Sequence, residues 1–303
     1  MKNGMIAALA VLALIPAMLR AQIGNIVVTN AASFQPGVPA PGSIGTIFCT
    51  GLVINGVVSA PGVPLPFSLA GVTVTIGGAA APLFAVADLG GYQQINLQVP
   101  QETQLGVAGT VPAAEVTITQ NGVQGTITVN LASDPGEFFR IGTTQYGVLQ
   151  HAADNSLVTA SNPAKGGEMI IGYATGLQPP GSSVAIGQPA PTSPLYYVPQ
   201  VDNNPTNVNL TGLFIKDSAG SSFNVFNLNG LYNPNGDLPF MGLTPGAVGL
   251  YQINFVLPGL AAGNAAIDIR HMGCNEALAF LSGCGAPGAT VFTDGQTVLI
   301  PAQ

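Results

Sequence analysis

GYQQINLQVP, residues 91–100, returns later in the chain as GLYQINFVLP, residues 249–258. Placing Ile95 over Ile253 also places Gln94 over Gln252, Asn96 over Asn254 and Pro100 over Pro258. Ile95, Leu97 and Val99 alternate with Gln94, Asn96 and Gln98, the period of two of a strand with one face buried. The proline that follows has no N–H to give to a ladder and ends the strand. A second match, IFCTGL at 47–52 with GYATGL at 172–177, lies in the same order. Two matches in one order define a tandem repeat of a β-rich unit.

The rest of the chain fits short strands. A length of 303 residues accommodates about two domains. Hydrophobic residues make up 47%, enough for substantial cores, and charged residues only 6%. The polar surface must therefore come from Asn, Gln, Ser, Thr and backbone. The 40 glycines and 25 prolines follow no fixed period and suit turns between strands. In the first unit strands are expected at 24–29, 44–50, 72–76 and 82–87, in the repeated stretch, and at 115–120 and 125–131. Asn121-Gly122 sits between the last two, a strong hairpin signal. In the second unit they are expected at 137–141, 145–150, 169–175, 196–198, 207–215, 223–228, 248–257, 265–270, 289–292 and 297–300. No stretch has the 3.6-residue period of a long helix. The expected fold is all-β, two tandem β-sandwiches, over residues 22–133 and 134–303.

The N-terminus has the pattern of an export signal. Lys2 is followed by an apolar run over 5–17, and Ala21 offers a small residue for cleavage. The run is shorter than the ~20 residues of a membrane span. Residues 1–21 are expected to be removed, leaving a secreted protein with no membrane insertion. Cleavage leaves four basic residues against 13 acidic ones, a net charge of −9. That argues against nucleic acid and anionic membranes, which both need basic clusters.

The two units differ in length. Thr50 and Thr175 are 125 residues apart, whereas Ile95 and Ile253 are 158 apart. The second unit thus holds about 33 extra residues, assigned to an Asn-, Asp- and Gly-rich insertion near 198–242. A fold that the first unit completes without them makes this insertion dispensable for folding, and a place for function. A later addition includes or adjoins residues 274–284.

NAASFQPGVPAPGSIGTIF at 30–48, TGL at 50–52, GVTVTIGGAAAPLF at 71–84 and QINLQVP at 94–100 together resemble the Solibacter-type uncharacterised C-terminal domain family of secreted acidobacterial proteins. NPAKGGEMIIGYATGL at 162–177 and LTPGAVGLYQINFVLP at 243–258 resemble its second part. The resemblance covers nearly the whole chain after residue 21. It implies extracellular, immunoglobulin-like modules similar to IPT/TIG domains, and it brings no activity with it. The Asn-rich insertion and the cysteine loop depart from the family pattern.

Candidate chemistry is sparse. Cys274 and Cys284 flank a short Gly-rich loop of an exported chain and are expected to form a disulfide. Cys49 falls where the other unit has Ala174, a position for a small buried side chain. Two histidines, His151 and His271, are too few for a His-rich zinc site, and no G-x-S-x-G occurs. Asn233, Asn235 and Asp237 alternate as calcium ligands do, but turn chemistry explains them more simply and no bidentate glutamate follows. Tyr196, Tyr197 and Tyr232 bracket the insertion and offer either a stacking platform or core tyrosines. With Asp202, Asn203 and Asn204 they make up the candidate binding surface. The expectation is a non-catalytic structural or interaction protein of the cell surface or matrix, without metal or cofactor. Its partner would be a protein, a glycan or a second copy. The alternative is a carbohydrate-binding module using the insertion.

Overall fold

The computed structural model describes residues 22–101, 112–132, 136–177, 184–198, 210–225, 237–272, 291–294 and 296–303, and every named element among them is a β-strand. The first half contains β1 (Gly24–Asn30), β2 (Ile44–Thr50), β3 (Val57–Ser59), β4 (Val72–Ile76), β5 (Ala79–Ala81), β6 (Leu83–Asp88), β7 (Gln93–Gln98), β8 (Ala113–Gln120) and β9 (Val123–Asn130). They form two antiparallel sheets, β1-β2-β7-β6-β3 and β5-β4-β8-β9. Alternation turns Val28, Ile47, Ile95 and Leu97 of the first sheet and Val74, Ile76, Val116 and Ile118 of the second into one buried cluster. Two sheets sharing one core make a sandwich. Asn121 and Gly122 both have positive φ, +50° and +81°, and Gln120 pairs with Val123, so the expected tight β8–β9 hairpin is present.

The second half contains β10 (Glu137–Phe138), β11 (Leu149–His151), β12 (Met169–Thr175), β13 (Leu210–Lys216), β14 (Ser222–Val225), β15 (Phe240–Leu243), β16 (Tyr251–Val256), β17 (Gly263–Met272), β18 (Val291–Asp294) and β19 (Val298–Ala302). One sheet runs β10-β12-β16-β15 with β11 also on β12. The other runs β14-β13-β17-β18 with β19 also on β17. They enclose a second cluster that includes Phe138, Leu149, Ile170, Leu213, Ile215, Ile253, Phe255, Ile267 and Ile300.

The repeat holds at the level of register. Ile47 lies opposite Ile95 in β2–β7, and Gly172 lies opposite Ile253 in β12–β16, each pair at its repeat offset. Gln94 Nε2 donates to Asn96 Oδ1 at 2.8 Å, and Gln252 Nε2 donates to Asn254 Oδ1 at 2.8 Å. Continuous β1 is matched by two pieces, β10 and β11, both on β12.

The topology corrects the expectation that 198–242 is dispensable. β13 and β14 lie inside it and occupy the places of β4 and β5: β4 pairs with β8, and β13 pairs with β17 at seven positions. Leu213, Ile215 and Val225 are buried in the second core. Sequence comparison counted the extra residues correctly but merged them with a core hairpin. The added length lies on either side of it, in the connections from β12 to β13 and from β14 to β15.

Hydrogen bonds join the halves. Ile44 N–H donates to Thr175 Oγ1 at 2.8 Å, and Thr175 Oγ1 donates to Gly249 O at 3.3 Å. Gly187 N–H donates to Gln98 Oε1 at 2.7 Å, and Leu65 N–H donates to Gly187 O at 2.8 Å.

Candidate binding faces

The residues of β2, β7, β6 and β3 that point away from the first core lie in cross-strand rows. Phe48 is opposite Gln94, Gln94 opposite Ala87, and Ala87 opposite Val57. Two further aromatics flank the row. Phe34 packs on Phe48 at 6.1 Å between centroids, and Tyr92 meets it edge-on at 5.8 Å. Phe34 and Tyr92 remain 53% and 47% exposed. Phe34 also has φ +58°, where a bulky L-residue is strained. Its backbone is fixed by its own N–H donating to Asn30 O at 3.0 Å, beside an Asn30 side chain that accepts from Ala32 N–H at 2.8 Å. A strained backbone that displays a half-exposed aromatic adds nothing to the core. Such strain marks positions held for another purpose.

The second half repeats the row. Tyr173 is opposite Gln252, Gln252 opposite Gly242, and Gly242 bridges to Tyr197. Tyr197 is 38% exposed and packs edge-on against Phe240 at 5.3 Å. Tyr173 Oη donates to Gln150 Oε1 at 3.2 Å. Gly242 has no room for a side chain, since a Cβ there would run into the Tyr196 carbonyl.

The sequence-selected residues divide accordingly. Tyr197 joins this row. Tyr196 is half-buried against the second core. Asp237 is exposed but stands four residues along β16 from Gln252, its carbonyl accepting from Val256 N–H at 2.8 Å. Asp202, Asn203, Asn204, Tyr232, Asn233, Asn235, Cys274, Cys284 and the segment 1–21 lie outside the described residues. Phe34, Phe48, Tyr92, Gln94 and Asn96 were not singled out from sequence as a site. Their signal was present, since Gln94 and Asn96 are the outward members of the repeated alternation, but which aromatics join them depends on strand order.

The His151 ring is held by two structural contacts, with Nδ1 3.2 Å from a Glu168 carboxylate oxygen and Nε2 3.2 Å from Asn162 O. Cys49 is buried and unpaired, and burial pushes its thiol up to about 11. Among the described residues no three His, Cys, Asp or Glu side chains converge as a metal site, and no helix is long and apolar enough to cross a membrane. A cavity of about 380 Å³ at the junction of the halves is walled by groups such as Val63, Leu65, Phe84 and Val248, with no titratable side chain in its lining.

No family model and no curated protein matches the chain. Among solved structures it is similar to SGBP-B of the Bacteroides ovatus mixed-linkage glucan utilization locus, in complex with a mixed-linkage heptasaccharide. The identity is 9% and the TM-score 0.28, over 92% of this chain and 60% of that one. It is also similar to the C-terminal domain of the Streptococcus pyogenes antigen I/II-family protein AspA, with 10% identity, TM-score 0.21, and 93% and 99% of the two chains covered. Bovine butyrophilin matches at 9% identity and TM-score 0.20, over 92% and 99%. Superpositions with TM-scores this low say nothing about what the chain binds.

Proposed function

We propose that the protein is exported and non-catalytic, a cell-surface or matrix interaction protein of two tandem immunoglobulin-like sandwiches. It binds an uncharged partner, protein or glycan, on the outer face of β2, β7, β6 and β3. The observation that carries this is Phe34, strained in its backbone and half-exposed, packed in series with Phe48 and Tyr92. Aromatic faces supply large contact area at small entropic cost, and the row between them holds amides and small apolar groups rather than charges. Phe34→Ala/Tyr92→Ala should leave the fold intact, because neither side chain is in the core. The same variant should lose the partner captured from native envelope and culture medium by the parent protein. Undiminished capture by the variant overturns the assignment of the face.

A further inference from the structure

We infer that the first half carries a single site for a short neutral oligosaccharide, on the sheet face that displays Phe34, and that the second half carries none. The inference rests on the function proposed above and narrows its partner. Two neighbouring rows cross the face. One runs Val27, Phe48, Gln94, Ala87 and Val57 from β1 to β3, and its ends are open, with Val27 46% and Val57 65% exposed. The next runs Thr46, Asn96, Ala85 and Ser59. A largely apolar row thus lies about 7 Å, two residues along each strand, from one that offers hydroxyl and amide groups.

The amides are fixed in place. Thr46 Oγ1 donates to Asn96 Oδ1 at 3.0 Å, and Gln94 Nε2 donates to the same oxygen at 2.8 Å. With Oδ1 taken twice, Asn96 Nδ2 is left to donate and Gln94 Oε1 to accept, and neither bonds to another described residue. A fixed donor beside a fixed acceptor suits a hydroxyl group, which does both. Groups already ordered also lose little entropy on binding. Phe34, Phe48 and Tyr92 add ring surface for the apolar face of a pyranose. Neither row holds a charged side chain, and the chain carries −7 overall, so an acidic polymer is repelled. Size argues against a protein or a second copy. Five strands span about 19 Å, and the rows with Tyr92 beyond them about 14 Å, on the order of 300 Å² where a stable protein partner needs about 800 Å².

The equivalent place in the second half is closed. Gly242 stands opposite Gln252 as Ala87 stands opposite Gln94, but the Tyr196 carbonyl and the buried Phe240 ring fill the space over it. Ile171 is opposite Asn254 where Thr46 is opposite Asn96, so the second amide lacks the hydroxyl that helps to fix the first.

An array of neutral gluco-, manno-, galacto- and xylo-oligosaccharides provides the probe, and calorimetry with its strongest binder gives stoichiometry and affinity. One site per chain is expected. Gln94→Ala/Asn96→Ala should weaken it by about 10-fold or more, and Phe34→Ala should weaken it too. Gln252→Ala/Asn254→Ala should leave it unchanged. Val57→Arg, at an exposed end of the row, blocks the face and replaces the amide variant if that fails to fold. Two sites per chain, a site indifferent to the first-half variants, or one removed by the second-half pair overturns the inference. No binder on the array, together with a captured surface protein that depends on Phe34 and Tyr92, overturns the oligosaccharide and leaves the face standing. No binder and no captured partner overturn both.

Discussion

Gly172 and Ile47 hold the same place in the two halves, yet one has no side chain and the other a full aliphatic one. Phe138 explains the exchange. A Cβ at Gly172 would lie 2.6 Å from Phe138 Cε1 and 3.0 Å from Leu149 Cδ2, so the ring fills the space that Ile47 fills in the first core. Gly172→Ala should therefore overpack the second core and cost about 1–3 kcal/mol, and Phe138→Ala about 3–5 kcal/mol, in urea denaturation. Combining Phe138→Ala with Gly172→Ile should recover part of the loss; a strictly additive outcome would show that the two positions do not share one space. Asp217 makes a prediction about pH. Removal from water raises its pKa, but the N–H groups of Ala261, Ser221, Ala219 and Gly220 lower it by more, so the carboxyl titrates below the ordinary aspartate range. Its Oδ1 accepts from Ser221 N–H at 2.7 Å and Ala219 N–H at 3.0 Å, and Oδ2 from Ala261 N–H at 3.2 Å. A depressed folded-state pKa gives stability that is complete above the unfolded value and lost as pH falls through the folded one. Urea midpoints of the parent should fall on acidification through that range, and those of Asp217→Asn should start lower and fall less. Cys49, with its thiol pushed up to about 11 and 1% exposed, should resist alkylation at mildly alkaline pH in the native state and react in denaturant.

Elements carry the information that single residues do not. β13 shows it best. It pairs with β14 on one side and with β17 on the other, and Leu213 and Ile215 are wholly buried. Deleting residues 203–236 should abolish the cooperative unfolding of the second half, measured by calorimetry, because it exposes the β17 ladder and opens the core. A deletion protein that still unfolds like the parent would mean that this hairpin is peripheral. Sequence periodicity located nearly every strand of the first half, because Ile95 and Leu97 or Val72, Val74 and Ile76 alternate without interruption. It was also right about the Asn121-Gly122 turn, where local chemistry alone decides φ. It could not pair strands. LTGLFIK at 210–216 has the pattern of a strand, yet nothing in it states that β17 lies beside it, so it was absorbed into an insertion. The binding face was hidden for the same reason. Phe34, Phe48 and Tyr92 are scattered over three segments and meet only once β1, β2 and β7 are aligned.

At the scale of the whole molecule, departures from the repeat mark the joint between halves. Gln98 stands where the second half has Val256, and it is buried, with Oε1 accepting from Gly187 N–H and Nε2 donating to Gly42 O at 3.0 Å. Thr175 matches Thr50 in type but not in role. Thr50 Oγ1 donates to Gly24 O within its own half at 3.2 Å, whereas Thr175 Oγ1 takes the Ile44 N–H from across the joint. Gly249 completes the contact with φ +62°, and a Cβ there would lie 2.9 Å from Gly42 O. These groups are polar, directional and largely buried, so leaving any one unpaired costs about 1–3 kcal/mol. The joint should therefore couple the unfolding of the two cores. Calorimetry of the parent should show a single transition, and Gln98→Leu/Thr175→Val should split it in two, since Gly187 N–H, Gly42 O and Ile44 N–H lose their partners while both cores stay intact. Gly249→Ala should act in the same direction through backbone strain and close approach to Gly42 O. Two independent transitions in the parent would show instead that the halves ignore each other.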